Sequence, residues 1–318
     1  MSTRKRIIYQ SQAVSCKTVF DAAAQNYMGV QSVSYGLDIA REDVNQFGDL
    51  GAVDRVVLEA PTANAEVNLY VNGCTAAHLS GLLRSALESS GVDLKIGLNP
   101  DEGIDYVSGD SSSIQLASGS LASLSAEASV GSIATLTLGF EGTNINHLAS
   151  TAPEPPATNI SIATQTGVQL NLSNFNAAGP SVSGFTTHAQ SVSVNFDLGL
   201  EGLQQLGATS NAGERYVYAR VPSFPASASM TVENLAVTKG FALDLNNVKQ
   251  SAAEGGTNAD TGGQVDVAVA MGATNFKLVK ATLDSVSFNN AIGDNATASC
   301  TLSCSIGSPT SPSRLEIS

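Results

Sequence analysis

The chain has 318 residues, of which only 14% are charged, and it contains no tryptophan. Its formal net charge is −13, with 8 basic and 16 acidic residues in 1–150 and 7 basic and 12 acidic residues in the rest. An acidic charge spread over the whole chain repels nucleic acid, and an aromatic content of 5% leaves few platforms for base stacking. The composition therefore argues against a nucleic-acid-binding protein.

The amino terminus shows no pattern of a secretory signal. Arg4, Lys5 and Arg6 are followed by only two isoleucines before polar residues begin, so an apolar signal core is missing. No apolar run approaches the length that spans a membrane. We therefore expect a protein made in a cytoplasm, without a membrane partner.

The chain contains two related halves. Residues 31–48 recur without a gap at 190–207, and residues 114–135 recur at 276–297. The first match preserves these identities: Gln31/Gln190, Ser32/Ser191, Val33/Val192, Ser34/Ser193, Asp38/Asp197, Glu42/Glu201, Gln46/Gln205 and Gly48/Gly207. A long period with two copies indicates a duplicated domain and not a solenoid.

Alternation of apolar and polar residues predicts strands throughout both halves. Three pairs of segments show it, and their apolar positions are Val33, Tyr35, Leu37 and Ile39 with Val192, Val194, Phe196 and Leu198; Ala65, Val67, Leu69 and Val71 with Ala226, Ala228, Met230 and Val232; and Ala134, Leu136, Leu138 and Phe140 with Ala296, Ala298, Cys300 and Leu302. Side chains of a strand point alternately to two faces. Each strand should thus have one buried and one wet face, as in antiparallel sandwiches and barrels.

One helix is predicted in each half. Leu79, Leu82, Leu83, Ala86 and Leu87 lie at helical spacing, and a glycine at position 91 follows as a stop. The matching stretch at 241–254 has a weaker pattern and predicts a shorter helix.

These elements predict an all-β protein of two tandem sandwich or barrel domains. The first domain covers 1–147 and the second covers 164–318. A linker at 148–163 separates them, and Pro153, Pro155 and Pro156 make it stiff and extended. We expect the last stretch, 305–318, to be a tail or docking arm.

A long polar segment follows the first repeated strand in each half. Residues 40–54 and 199–214 are too long and too polar for a tight hairpin, and core packing does not explain why polar identities recur there. Retained polar residues in a loop suggest an interface between subunits or layers. The candidate interface residues are Glu42, Asp43, Asn45, Gln46, Gly48, Glu201, Gln204, Gln205 and Gly207. The alternative is that these identities are only a remnant of recent duplication.

No catalytic, cofactor or metal motif is found. His78, His147 and His188 have no ligand spacing and should lie on the surface or in loops, and the acidic segment 99–105 lacks the EF-hand register. Cys300 and Cys304 fall on the apolar face of the last strand, about 13 Å apart if extended, so we expect core residues. A bridge from either to Cys16 or Cys74, or between chains, stays open. We expect no enzyme activity, no cofactor and no metal.

The segment SVSYGLDIAREDVNQFGDLGAVDRVVLEAP resembles the first strand, long loop and second strand of bacteriophage tail tube proteins. The stretch from Ile114 to Phe140, with Gly131 between two strands, resembles their closing hairpin. The resemblance covers most of 7–140 and returns more faintly over about 165–304. The second half departs from it at Leu200 and Gly202, which stand where the first has Arg41 and Asp43.

This resemblance implies sandwich-like domains, each with one flanking helix, that join their sheets six to a ring. Rings stack through long loops, and genomic DNA passes through an acidic lumen without specific binding. Two domains per chain then imply three chains per pseudo-sixfold ring; the rival arrangement is a ring of six chains with the second domain outside. The implied partners are further copies of the chain and sheath, tape-measure, tail-terminator and baseplate proteins. The implied location is the virion tail, assembled in the host cytoplasm.

Two other functions are consistent with the same residues. The first is the inner tube of a tailocin or another contractile injection system. The second is a two-domain β-sandwich adhesin or fibre protein, which would act without forming rings. An enzyme is the weakest reading, because no group of polar residues in the sequence suggests an active site.

Overall fold

The computed structural model describes residues 11–20, 23–48, 51–57, 61–88, 91–100, 113–148, 168–173, 189–203, 219–222, 226–235, 265–289, 295–306 and 314–318. Within these residues the fold is all-β and antiparallel, with one α-helix, α1 (Ala76–Leu87), and one 3₁₀ turn (Val71–Gly73). The predicted fold class is therefore confirmed. The second predicted helix, at 241–254, lies outside the described residues.

Nineteen strands are described. In the first half they are β1 (Ser11–Phe20), β2 (Ala23–Asn26), β3 (Val30–Asp38), β4 (Arg41–Asn45), β5 (Ala52–Val57), β6 (Thr62–Tyr70), β7 (Val92–Pro100), β8 (Ser113–Ser129), β9 (Thr135–Gly142) and β10 (Ile145–Leu148). In the second half they are β11 (Val168–Ser173), β12 (Ala189–Asp197), β13 (Leu200–Leu203), β14 (Ala219–Pro222), β15 (Ala226–Leu235), β16 (Val265–Met271), β17 (Thr274–Asn289), β18 (Thr297–Ile306) and β19 (Leu315–Ile317).

One sheet runs through both halves, and we call it the central sheet. Its order is β3-β6-β9-β8-β12-β15-β18-β17, with every neighbouring pair antiparallel. The first four strands and the last four have equivalent places in the two repeats. The two groups are joined where β8 pairs with β12, in a register that runs from Ser129↔Ser191 to Ser123↔Asp197.

Two further sheets are built on the long strands β8 and β17. The first part of β8 joins β10, β7 and, through β7, β1 and β2; the first part of β17 joins β16, β11 and β19. Each long strand has an irregularity at the corresponding place, between Leu121 and Ser123 in β8 and between Leu283 and Ser285 in β17. This repeated β-bulge bends the strand between sheets and aligns β8 with β17 residue for residue.

The buried residues of all three sheets belong to one hydrophobic cluster. The predicted alternation is confirmed on β6, β9, β12, β15 and β18, where every second residue is buried. Cys300 and Cys304 are buried on β18, as predicted, and all four cysteines are free thiols. Burial raises the pKa of Cys16 and of Cys300 to about 12.

Helix α1 forms as predicted and packs its leucine side into the core. Leu79 and Leu82 are fully buried, and the Thr75 hydroxyl accepts a hydrogen bond from the His78 backbone N–H, which caps the helix. At the other end Arg84 and Glu88 form an ion pair of 2.7 Å. The helix contacts β8 and also β19 from the other half of the chain.

The structure bears on two further expectations and corrects the first. His78 is not a surface residue: it is 8% exposed, its Nε2 lies 2.6 Å from the Thr18 hydroxyl, and its ring lies 4.8 Å from the ring of Phe20 at a tilt of 53°. It occupies the leucine side of α1, so helix periodicity carries it inward. The last stretch, expected to be a tail or docking arm, ends in β19, which pairs with β17 of the same chain and buries Leu315 and Ile317.

Candidate assembly surfaces

The polar segment after β3 forms a separate ribbon. Strands β4 and β5 pair with each other alone among the described strands, and we call them the first hairpin. Every residue from Arg41 to Gly48 is exposed. The first hairpin thus brings together five of the predicted interface residues: Glu42, Asp43, Asn45, Gln46 and Gly48. The segment is neither a tight turn nor an irregular loop, since its flanks are paired.

The second repeat builds the same ribbon from β13 and β14, which we call the second hairpin. Glu201 lies opposite Val221, just as Glu42 lies opposite Val56. Among the candidate residues of this repeat, only Glu201 falls within the described residues. Gln204, Gln205 and Gly207 lie outside them, and so does the acidic segment from position 101 onward.

The turn of the first hairpin contains an apolar residue that sequence reasoning overlooked. Phe47 is 106% exposed, and the neighbouring Gly48 has φ 102°, a value that favours glycine. The turn geometry therefore suffices to explain the glycine at position 48. It does not explain the apolar residue, which recurs as Leu206. An apolar position shared by two polar segments was the available signal.

The polar face of the central sheet carries only negative charge. The strand segments that form the central sheet contain no lysine or arginine. One of their acidic residues, Asp284, lies in the bulge of β17. Their acidic residues are Asp38, Glu66, Glu127, Glu141, Asp197, Glu233 and Asp284. The remaining polar-face residues are mostly serine, threonine and asparagine. A shallow groove of about 270 Å³ on this face is lined by Ser34, Asn64, Glu66, Ser123 and Glu141, among others.

The two edges of the central sheet are unlike the strands inside it. On β3, Tyr35 is 42% exposed and Leu37 is 44% exposed, whereas their counterparts on β12, Val194 and Phe196, are buried. On β17, Phe288 is 58% exposed, whereas its counterpart Ala126 on β8 is buried. The expectation of a buried apolar face was therefore wrong for β3. The physical reason is position, because β12 has β8 beside it and β3 has a strand on one side only among those described.

Buried polar side chains surround His78, but their arrangement does not resemble a reactive site. The Thr18 hydroxyl donates to the Tyr27 hydroxyl at 2.9 Å, and Tyr27 is 1% exposed. Burial lowers the pKa of His78 to about 4. Within the described part of the chain, no group of three or more His, Cys, Asp or Glu side chains could hold a metal ion. The described helix is too short to cross a membrane.

Comparison with known proteins gives a structural neighbour and no family. No protein-family model matches the chain, and no curated protein matches it. One solved structure to which the chain is similar is the cryo-EM structure of the anti-feeding prophage baseplate, with six-fold symmetry applied. The likeness covers 45% of this chain and 97% of that one, at 12% identity and a TM-score of 0.32. A likeness at this level does not assign the chain to a family.

Proposed function

We propose that this protein is a structural subunit of a phage tail tube, in which copies of the chain form rings and the rings stack around a channel. The sequence resemblance suggests the class of assembly. The observation that carries the proposal is the polar face of the central sheet, a broad β surface with carboxylates and no cation. The channel of an injection machine needs such a surface, because DNA must slide along it without binding.

The charge pattern fits passage of a polyanion in two ways. Carboxylates repel phosphates over roughly 8 Å at physiological ionic strength, so a duplex would be held away from the wall. Short hydroxyl and amide side chains remain wet and give the duplex no cationic anchor. The lysines that the structure describes lie elsewhere, on β1, β7 and the first part of β17.

Both hairpins suit contact between layers. Each leaves the central sheet at the end of its first repeated strand, β3 or β12. Covering the fully exposed Phe47 with another surface would remove its apolar area from water and so stabilise that contact. We assign that surface to the next ring, with Glu42 and Gln46 supplying polar contacts beside Phe47.

The proposed ring contains three chains, each supplying two equivalent four-strand groups. The protein would act mechanically, with no catalytic step, cofactor or metal. Its partners would be its own copies, with sheath, tape-measure, tail-terminator and baseplate proteins at the tube surface and ends. It would be assembled in the host cytoplasm and reside in the virion tail. The inner tube of a tailocin or another contractile injection system would use the same surfaces.

Electron microscopy of the purified chain tests the proposal. We expect hollow rings or tubes, with six lobes in end-on averages and three chains per ring by native mass spectrometry. Six chains per ring would instead place the second repeat outside the wall. A folded protein that stays monomeric at high concentration, with or without a tail initiator complex, would contradict the tube and favour the adhesin or fibre function.

A double variant separates stacking from ring formation. Glu42→Ala with Gln46→Ala should keep the fold and the rings but shorten the tubes or abolish them. The matched control is Asn64→Ala with Glu66→Ala, which changes an amide and a carboxylate on the polar face of β6. Tubes of normal length from the hairpin variant would contradict a stacking role for the first hairpin.

A further inference from the structure

We propose that β3 of one chain pairs in antiparallel fashion with the second part of β17 of the next chain, in a register that places Tyr35 opposite Phe288. In this proposal copies of the chain join through these two strands. The proposal rests on the proposed assembly of this protein with itself. It would hold equally in a ring or in an open filament.

The structure contains a template for this contact. Strands β8 and β12 join the two repeats, and they pair from Ser123↔Asp197 to Ser129↔Ser191. Two hydrogen bonds flank the ladder: the Leu198 N–H donates to the Ala122 carbonyl at 2.7 Å, and the Val130 N–H donates to the Gln190 carbonyl at 2.9 Å. On the polar face, the Ser125 hydroxyl donates to the Asn195 side-chain oxygen at 2.7 Å.

Each template strand has a counterpart at an edge that has no neighbour among the described strands. β3 is the counterpart of β12, since residues 31–48 align with 190–207 without a gap. β17 is the counterpart of β8, and the shared bulge shows that Asp284 is the position equivalent to Ala122. The strand that β3 lacks is therefore of the β8 kind, and the strand that β17 lacks is of the β12 kind. The chain itself supplies both.

Transferring the template gives a residue-by-residue register. Val194 opposite Ala126 becomes Tyr35 opposite Phe288, and Phe196 opposite Leu124 becomes Leu37 opposite Val286. The transferred hydrogen bond at the bulge joins the Ile39 N–H to the Asp284 carbonyl. Strand registers place side chains on fixed faces, so this register brings apolar residues together on one face and polar residues on the other.

The exposed side chains agree with this register, which follows from the repeat and the shared bulge alone. Tyr35, Leu37 and Phe288 are three of the large apolar residues that the structure leaves exposed. All three fall on the core side of the proposed contact, where their template counterparts are buried. An apolar strand edge readily accepts another chain, and an aromatic cross-strand pair stabilises such a contact.

Within one chain β3 and β17 do not pair with each other. They lie at opposite ends of the eight-strand order of the central sheet, seven strand spacings apart, or roughly 34 Å measured along the sheet at about 4.8 Å per spacing. A second copy presents both missing strands with the same sequence and the same bulge. Because the two edges differ, the contact is head-to-tail and repeats from chain to chain.

Cysteine crosslinking tests the register. Ser34 and Asn289 are exposed and oppose each other at a non-hydrogen-bonded position of the proposed pair, where Cα atoms lie about 4.5 Å apart and a disulfide fits. The double variant Ser34→Cys/Asn289→Cys should form a ladder of covalent oligomers on mild oxidation. The matched control Ser34→Cys/Ser285→Cys offsets one thiol by about 13 Å along the strand and should form none. The native thiols are buried.

Single variants settle which edges meet. An equimolar mixture of Ser34→Cys and Asn289→Cys chains should give dimers and nothing larger, and neither variant alone should crosslink. Dimers from Ser34→Cys alone would overturn the proposal in favour of β3 pairing with β3. Stacked tubes without crosslinks would overturn the register but leave the tube function intact. Crosslinked rings or filaments that never stack would support the edge pairing and count against the tube.

Discussion

Phe288 offers a direct measure of how strongly the edges of the central sheet hold chains together. It is 58% exposed in the single chain, and the proposed pairing covers it with Tyr35. A phenylalanine buries about 200 Å² when fully covered, so roughly 115 Å² is hidden on assembly. At about 25 cal/mol per Å² this contributes about 3 kcal/mol to each chain-to-chain contact. Phe288→Ala should therefore weaken each contact about 100-fold.

The assay is the concentration dependence of assembly, followed by sedimentation velocity and light scattering. Phe288→Ala should raise the concentration needed for half-assembly about 100-fold, while the melting temperature of the dissociated chain changes little. Ser287→Ala is the control, because it lies on the same edge but points to the polar face. An unchanged half-assembly concentration for Phe288→Ala would refute the edge contact. A large drop in the melting temperature would show that Phe288 belongs to the fold of the single chain.

Three further predictions concern the hairpin, the core and pH. Phe47→Ser should leave rings intact but prevent stacking, as seen by electron microscopy, and intact tubes would contradict a role for this tip. Asn234→Leu should raise the free energy of unfolding by about 1–3 kcal/mol in urea, because Asn234 is fully buried with no hydrogen-bond partner for its amide. The strand registers place Leu69 of the first repeat at this position, whereas the sequence pattern alone matched Leu69 with Met230; a loss of stability would mean that the amide is needed. The pKa of His78 is lowered to about 4 by burial, so unfolded chains bind a proton first, and stability should fall by up to about 3 kcal/mol as pH drops from about 6.5 to 4. His78→Gln should flatten this part of the pH profile, and an equal slope in both proteins would contradict it.

Most of the strand pattern could be predicted from the sequence, because alternation depends on local geometry. Val192, Val194 and Phe196 are buried where the pattern requires. The internal repeat can also be recognised from the amino-acid sequence alone. Leucine spacing located α1, and the Cys300 and Cys304 positions followed from the strand on which they lie.

What the sequence could not supply is which strand lies beside which. The exposure of Tyr35 depends on the edge position of β3, which pairs only with β6 among the described strands, and no local pattern distinguishes β3 from β12. The pairing of β8 with β12 across the two repeats is a long-range contact of the same kind. Similarly, the surface position predicted for His78 is wrong because its place on the leucine side of α1, and not its polarity, determines its burial. The interface role of the candidate residues stays a prediction, and the pairing of β4 with β5 and the exposure of Phe47 required the structure.

The two hairpins differ in a way that bears on the rotational phase of an assembly. Where the first hairpin has Arg41 and Asp43, the second has Leu200 and Gly202, and Phe47 is replaced by Leu206. In a ring of three chains these unlike hairpins would alternate around the rim. A neighbouring ring could then match them at three angular settings and not at six. Duplication followed by divergence would thus act as an angular key, setting the twist from one layer to the next.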